Sequence, residues 1–82
     1  MYEISYRKNN LGGYMELSYK RLFKKLIDLD MQYNELMEKA NVSRSTFYKL
    51  KNGENVTTDI LLRICDALDC DISEIMECIK ND

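Results

Sequence analysis

The sequence predicts an all-α domain of five short helices behind a short N-terminal extension. Three observations carry this. Pro is absent and Gly occurs three times in 82 residues, so little interrupts a helix. From residue 19 onward, apolar side chains recur at three- and four-residue spacing. Each recurring stretch is bounded by residues that cap or stop helices. A chain of this length holds one domain and buries roughly 60% of its unfolded surface, too little for a large enzyme pocket.

The first helix is expected over residues 19–29, with Leu22, Phe23, Leu26 and Ile27 inward and Ser18 as its cap. The second spans 32–40, with Tyr33, Leu36, Met37 and Ala40 on one face. The third spans 44–52, capped by Ser43 and stopped at Asn52-Gly53. The fourth spans 58–68, capped by Thr57 or Thr58, with Leu61, Ile64, Cys65 and Leu68 inward. The fifth spans 72–79. Asp71 and Glu74 make a capping-box start, and Ile72, Ile75, Met76 and Ile79 make its stripe. Residues 1–14 differ. Tyr2, Ile4 and Tyr6 alternate with polar residues, and Asn9-Asn10-Leu11-Gly12-Gly13 reads as a turn or linker. Glu3-Ile4-Ser5-Tyr6-Arg7-Lys8 is echoed by Glu16-Leu17-Ser18-Tyr19-Lys20-Arg21. Three readings stay open: a hairpin, an extra strand serving a dimer, or an upstream start with Met15 as the natural initiator.

Composition narrows the chemistry. Hydrophobic residues make 45% and charged residues 32%, a globular balance. Apolar runs such as Ile60-Leu61-Leu62 are far too short for a membrane span. No basic-then-apolar leader opens the chain. Cys65, Cys70 and Cys78 are an odd set, which suits the reducing cytoplasm. With no His and with four and seven residues between the thiols, neither a His-based triad nor a zinc ribbon is built. The thiols read as small hydrophobes or inert surface groups. No cofactor, metal or small-molecule ligand is implied, and no enzyme activity.

The net charge of -2 hides a division. Residues 20–51 carry Lys20, Arg21, Lys24, Lys25, Lys39, Arg44, Lys49 and Lys51 against Asp28, Asp30, Glu35 and Glu38, a balance of +4. Residues 52–82 carry a balance of -6. A basic middle suits an anionic partner, although solvated helix faces would look the same.

Only Asn41-Val42-Ser43 joins the second and third helices. So short a link makes them cross steeply, as in a helix-turn-helix. Asn41 tolerates a positive φ, and Val42 plugs the angle. With Phe47 and Leu50 inward, Arg44, Ser45, Tyr48 and Lys49 turn outward, a set that a major groove accepts.

Residues 32–53, with Val42-Ser43-Arg44-Ser45-Thr46 and then Asn52-Gly53, resemble the Cro and phage-repressor type of helix-turn-helix, the XRE family. Residues 55–76 resemble a bacterial subgroup, and the similarity covers about 17–79. The resemblance implies a lambda-repressor-like helix-turn-helix domain over 18–80 behind an extension at 1–17. It implies a DNA-binding transcriptional regulator, a repressor by type. By position, Arg44, Ser45 and Lys49 match the family's base-reading residues, and Tyr48 lies beside them. Ser43 and Asn52 match phosphate-holding positions. Tyr33 stands where the family often has a contacting Gln, and Lys51 is a further phosphate candidate. The chain also has Met37 where the family usually has Ala, and Asn41 where it usually has Gly. The expected partner is double-stranded DNA. Two copies are expected to read two half-sites as a homodimer. The rival reading is an antitoxin-like interaction module on the same fold, motivated by the acidic residues after Gly53.

Overall fold

The structure, a computed structural model, describes residues 6–8 and 14–81. The turn expected at 9–13 and the alternation of Tyr2 and Ile4 lie outside them. Among the described residues four helices follow one another: α1 (Lys20–Asp28), α2 (Tyr33–Ala40), α3 (Arg44–Lys51) and α4 (Thr58–Leu68). Three strands, β1 (Tyr6–Lys8), β2 (Tyr14–Ser18) and β3 (Glu77–Asn81), form one antiparallel sheet in the order β1-β2-β3. Among the described residues the fold is therefore helical with a small sheet, not all-α. β1 and β2 pair antiparallel, with Tyr6 opposite Glu16 and Lys8 opposite Tyr14, so the two echoing segments meet only at Tyr6 and Glu16.

The fifth helix does not form. Asp71 and Glu74 do make their capping box, but it closes a single 3-10 turn, Ile72–Glu74. Ile75 leaves the helical region at φ -121° and buries fully. From Glu77 onward the chain extends and pairs along β2, with Leu17 opposite Cys78 and Met15 opposite Lys80. Along β3, Glu77 and Ile79 are half-buried while Cys78 and Lys80 are exposed, the period of two that a strand requires. Ile72, Ile75, Met76 and Ile79 also fit a helical stripe. The backbone partner that decided between the two lies some sixty residues away.

All four helices end in the same way, for a reason visible in the chain. Asp30, Asn41, Gly53 and Asp69 sit at φ 53°, 56°, 73° and 52°. In each case the next residue's N–H reaches back to a helix carbonyl. Met31 donates to Leu26, Val42 to Met37, Glu54 to Lys49 and Cys70 to Cys65, at 2.8–3.0 Å. These are Schellman closures, which need a left-handed residue that Gly, Asn and Asp tolerate best. Starts are less uniform. Ser43 Oγ accepts from the Thr46 N–H at 3.2 Å, and Thr57 Oγ1 from the Ile60 N–H at 3.4 Å. Tyr19, not Ser18, is the cap residue of α1, while Ser18 Oγ accepts from the Lys20 N–H.

The core gathers Tyr19, Leu22, Leu26, Leu36, Ala40, Val42, Phe47, Leu50, Leu61, Ile64 and Ile75. Ile27 is a correction: it is 78% exposed. Leu22 and Leu26, one turn apart, take the centre of the buried face, and Phe23 lies at its margin. Ile27, one position past Leu26 on a nine-residue helix, falls outside that face. The α1 cations are also not idle. Arg21 bonds the Ser73 carbonyl at 2.8 Å and Glu77 at 2.9 Å, and Lys25 bonds Glu74 at 2.9 Å. They dock α1 on the acidic tail.

Candidate DNA-binding interface

α3 divides cleanly. Phe47 and Leu50 are each 1% exposed and anchor its inner face. Arg44, Ser45, Tyr48 and Lys49 are on the other side, as the sequence spacing requires. Among the described residues, neither Arg44 nor Lys49 forms an ion pair. Both remain available to an outside anion. Lys49 also lines a shallow groove of about 300 Å³ with Thr46, Asn55, Val56, Thr57 and Ile60. This groove runs between α3 and the loop into α4.

The end groups are placed by capping. The Ser43 hydroxyl is committed to the helix start, donating to Thr46 Oγ1 at 3.0 Å as well as accepting from the Thr46 N–H. Asn52 follows the last residue of α3, and its side-chain amide reaches Glu54 at 3.5 Å. Tyr33, expected either in the core or facing a phosphate, does something of both. Its ring packs against Phe47 at 4.9 Å and Phe23 at 5.9 Å, yet 41% of the residue is exposed. Lys51 Nζ lies 4.9 Å from the centre of that ring. The structure thus brings Tyr33 and Lys51 together beside α3.

The chain turns from α2 into α3 through Asn41 at φ 56° and ψ 52°, with Val42 buried just after it. A family model described as the Cro/C1-type HTH DNA-binding domain matches residues 21–81. The chain belongs to that family. Among solved structures, the crystal structure of transcriptional regulator VanUg, Form II, is similar. It shares 47% sequence identity and a TM-score of 0.76, over 89% of this chain and 97% of that one. No curated protein matches the chain.

One residue of this Cro/C1-type domain escaped the sequence reading. Arg63, on α4, donates through Nη1 to the Asn41 carbonyl at 2.6 Å. Its Nε and Nη2 both reach Asp59 Oδ2, at 2.9 and 2.6 Å. Asp59 aims the guanidinium, and the guanidinium holds the turn between α2 and α3. The i,i+4 spacing of Asp59 and Arg63 was legible as a helix-surface pair. The bond to Asn41, 22 positions away, was not. The remaining surface offers little chemistry. Cys65, Cys70 and Cys78 are free thiols, and burial pushes the Cys65 and Cys70 thiols up, away from the reactive thiolate. Among the described residues no cluster of His, Cys, Asp or Glu could hold a metal, and no helix is long and apolar enough to cross a membrane.

Proposed function

We propose that this protein is a sequence-specific transcriptional regulator, acting as a repressor, that reads the major groove with α3. The observation that carries the reading is the division of α3. Two core anchors fix the helix, and Arg44, Ser45, Tyr48 and Lys49 stand outward as a row of donors and one aromatic ring. Arg and Lys bond guanine acceptors, and Ser and Tyr hydroxyls serve either partner. Ser43, Asn52 and Lys51 flank that row and meet the phosphates, with the Tyr33 ring beside Lys51. Phosphate contacts set register without carrying sequence information. The similar VanUg protein is a transcriptional regulator, which agrees with this assignment. The protein works in the cytoplasm as a homodimer on two half-sites, without a small-molecule ligand.

Selection of bound duplexes from a random pool tests the whole reading. A recovered motif with two-fold symmetry supports both base reading and the dimer. Failure to retain any duplex at low salt moves the weight to an antitoxin-like interaction module. Arg21 and Lys25 already engage Glu77 and Glu74, so less of the acidic tail is left to serve such a partner.

A further inference from the structure

The pairing of Tyr33 with Lys51 gives the Tyr33 ring a role other than a phosphate contact of its own. We propose that Tyr33 is a positioning residue: its ring face holds the Lys51 ammonium at the flank of α3, where it meets a DNA phosphate. The proposal rests on the DNA-binding reading above.

Three observations build it. First, the ammonium lies 4.9 Å from the ring centroid, within the roughly 6 Å over which an aromatic face attracts a cation. Second, the ring is itself held. Phe47 meets it at 4.9 Å and an interplanar angle of 51°, and Phe23 meets it edge-on at 5.9 Å. Phe47 is the same side chain that seats α3 in the core. Tyr33 therefore fixes Lys51 relative to the reading helix. Third, Tyr33 opens α2 and Lys51 closes α3, so the contact ties together the outer ends of the two helices of the motif.

The physical effect follows from the lysine side chain. A free Lys has four rotatable bonds and loses much rotamer freedom when a ligand fixes it. A cation already resting on a ring has lost part of that freedom before DNA arrives. The aromatic face takes up one side of the ammonium and leaves the other donors for phosphate oxygens. In this arrangement the ring is essential and the phenol hydroxyl is not.

The test uses the full chain and a random-sequence duplex, since phosphate contacts need no operator. Kd is measured against salt for wild type, Tyr33→Phe, Tyr33→Leu, Lys51→Met and the Tyr33→Leu/Lys51→Met pair. Tyr33→Phe should keep the wild-type slope. Lys51→Met should lower the slope of log K against log salt by about 0.9, the loss of one phosphate. Tyr33→Leu should lose most of the same amount, and the double variant no more than Lys51→Met alone. An equal loss for Tyr33→Phe and Tyr33→Leu would overturn the proposal in favour of a direct hydroxyl contact. Additive losses would overturn it as well, as would an unchanged slope for Tyr33→Leu. Should Tyr33→Leu fold poorly, the free wild-type protein still decides. Its Lys51 side-chain proton resonances should be shifted upfield by the ring, and unshifted resonances refute the contact. Wild type that binds no duplex overturns the DNA-binding reading itself, a result distinct from every variant outcome.

Discussion

Replacing Arg63 by Met should lower stability more than replacing its partner Asp59 by Asn, although both belong to the same ion pair. The pair alone is an i,i+4 contact at a solvent-facing helix surface, and such contacts contribute about 0.3–0.5 kcal/mol. The bond from Arg63 to the Asn41 carbonyl is different. It is a charge-assisted hydrogen bond to a backbone acceptor at the negative end of α2. Bonds of that kind reach about 1.5–3 kcal/mol when shielded. The Arg63 side chain is 39% exposed, so water screens it and about 1 kcal/mol is the reasonable scale. For a domain of this size, about 1 kcal/mol moves Tm by about 4–8 °C. Arg63→Met should thus lower Tm by about that amount, and Asp59→Asn by less than half of it. Thermal melts by circular dichroism at one pH and salt concentration check both. Equal shifts would mean that Arg63 acts only through Asp59, and the clamp on the turn would be refuted.

Phe47→Ala should leave the protein largely unfolded. Large-to-small changes at such aromatic sites cost about 3–5 kcal/mol, and Phe47 also touches Phe23, Tyr33 and Tyr48. Leu61→Ala should cost about 2–5 kcal/mol, and unchanged melts would refute the assigned core faces. Backbone hydrogen bonds hold the Asp71 and Glu74 carboxyls below their ordinary 3.8 and 4.5, with the Ser73 side chain aiding the first and Lys25 the second. Their stabilisation is present above those ordinary values and is lost as pH falls through the depressed folded values. A double Asp71→Asn/Glu74→Gln variant should therefore melt lower at neutral pH and show a flatter Tm profile on the acid side. Arg44→Ala should lose more affinity for a selected operator than for random DNA, by about 1–3 kcal/mol, whereas Asn52→Ala should weaken both alike. Four dissociation constants at one salt concentration decide it, and equal losses for Arg44→Ala would refute base reading.

What could be read from the sequence divides along the range of the interactions. α2, α3 and α4 were legible because their signals are local. Apolar residues one turn apart, a hydroxyl cap, and Asn41 or Gly53 just past the end all fall within one window. The outward row on α3 was legible for the same reason, once Phe47 and Leu50 were placed inside. The sheet was not. β3 needs β2, and only Ile79 and Glu77 alternate well enough to hint at it. Ile27 was misplaced because Leu22 and Leu26 already fill the centre of the α1 face. Arg63 and the pairing of Tyr33 with Lys51 depend on helices crossing at an angle that no single window encodes.

The charge pattern gains a physical meaning only in three dimensions. A chain with net charge -2 should be repelled by a polyanion, and its basic stretch alone did not separate a binding face from solvated helices. The structure sorts the basic residues by their partners. Arg21 and Lys25 are turned to Glu77, Ser73 and Glu74, and so are spent on folding. Arg63 is turned to Asp59 and Asn41. Arg44 and Lys49 have no acidic partner among the described residues, and Lys51 rests on an aromatic face that leaves its charge intact. Lys20, Lys24, Lys39 and Lys80 also lack a carboxylate partner among the described residues, but Arg44, Lys49 and Lys51 stand together on one short helix, while Glu77, Glu74 and Asp59 are engaged by cations of α1 and α4. Over distances near the Debye length of about 8 Å, a phosphate approaching α3 meets those nearby cations and is largely screened from the rest of the chain. Local arrangement, not net charge, governs the first encounter. An acidic protein can therefore present a basic face where cations without carboxylate partners stand close together.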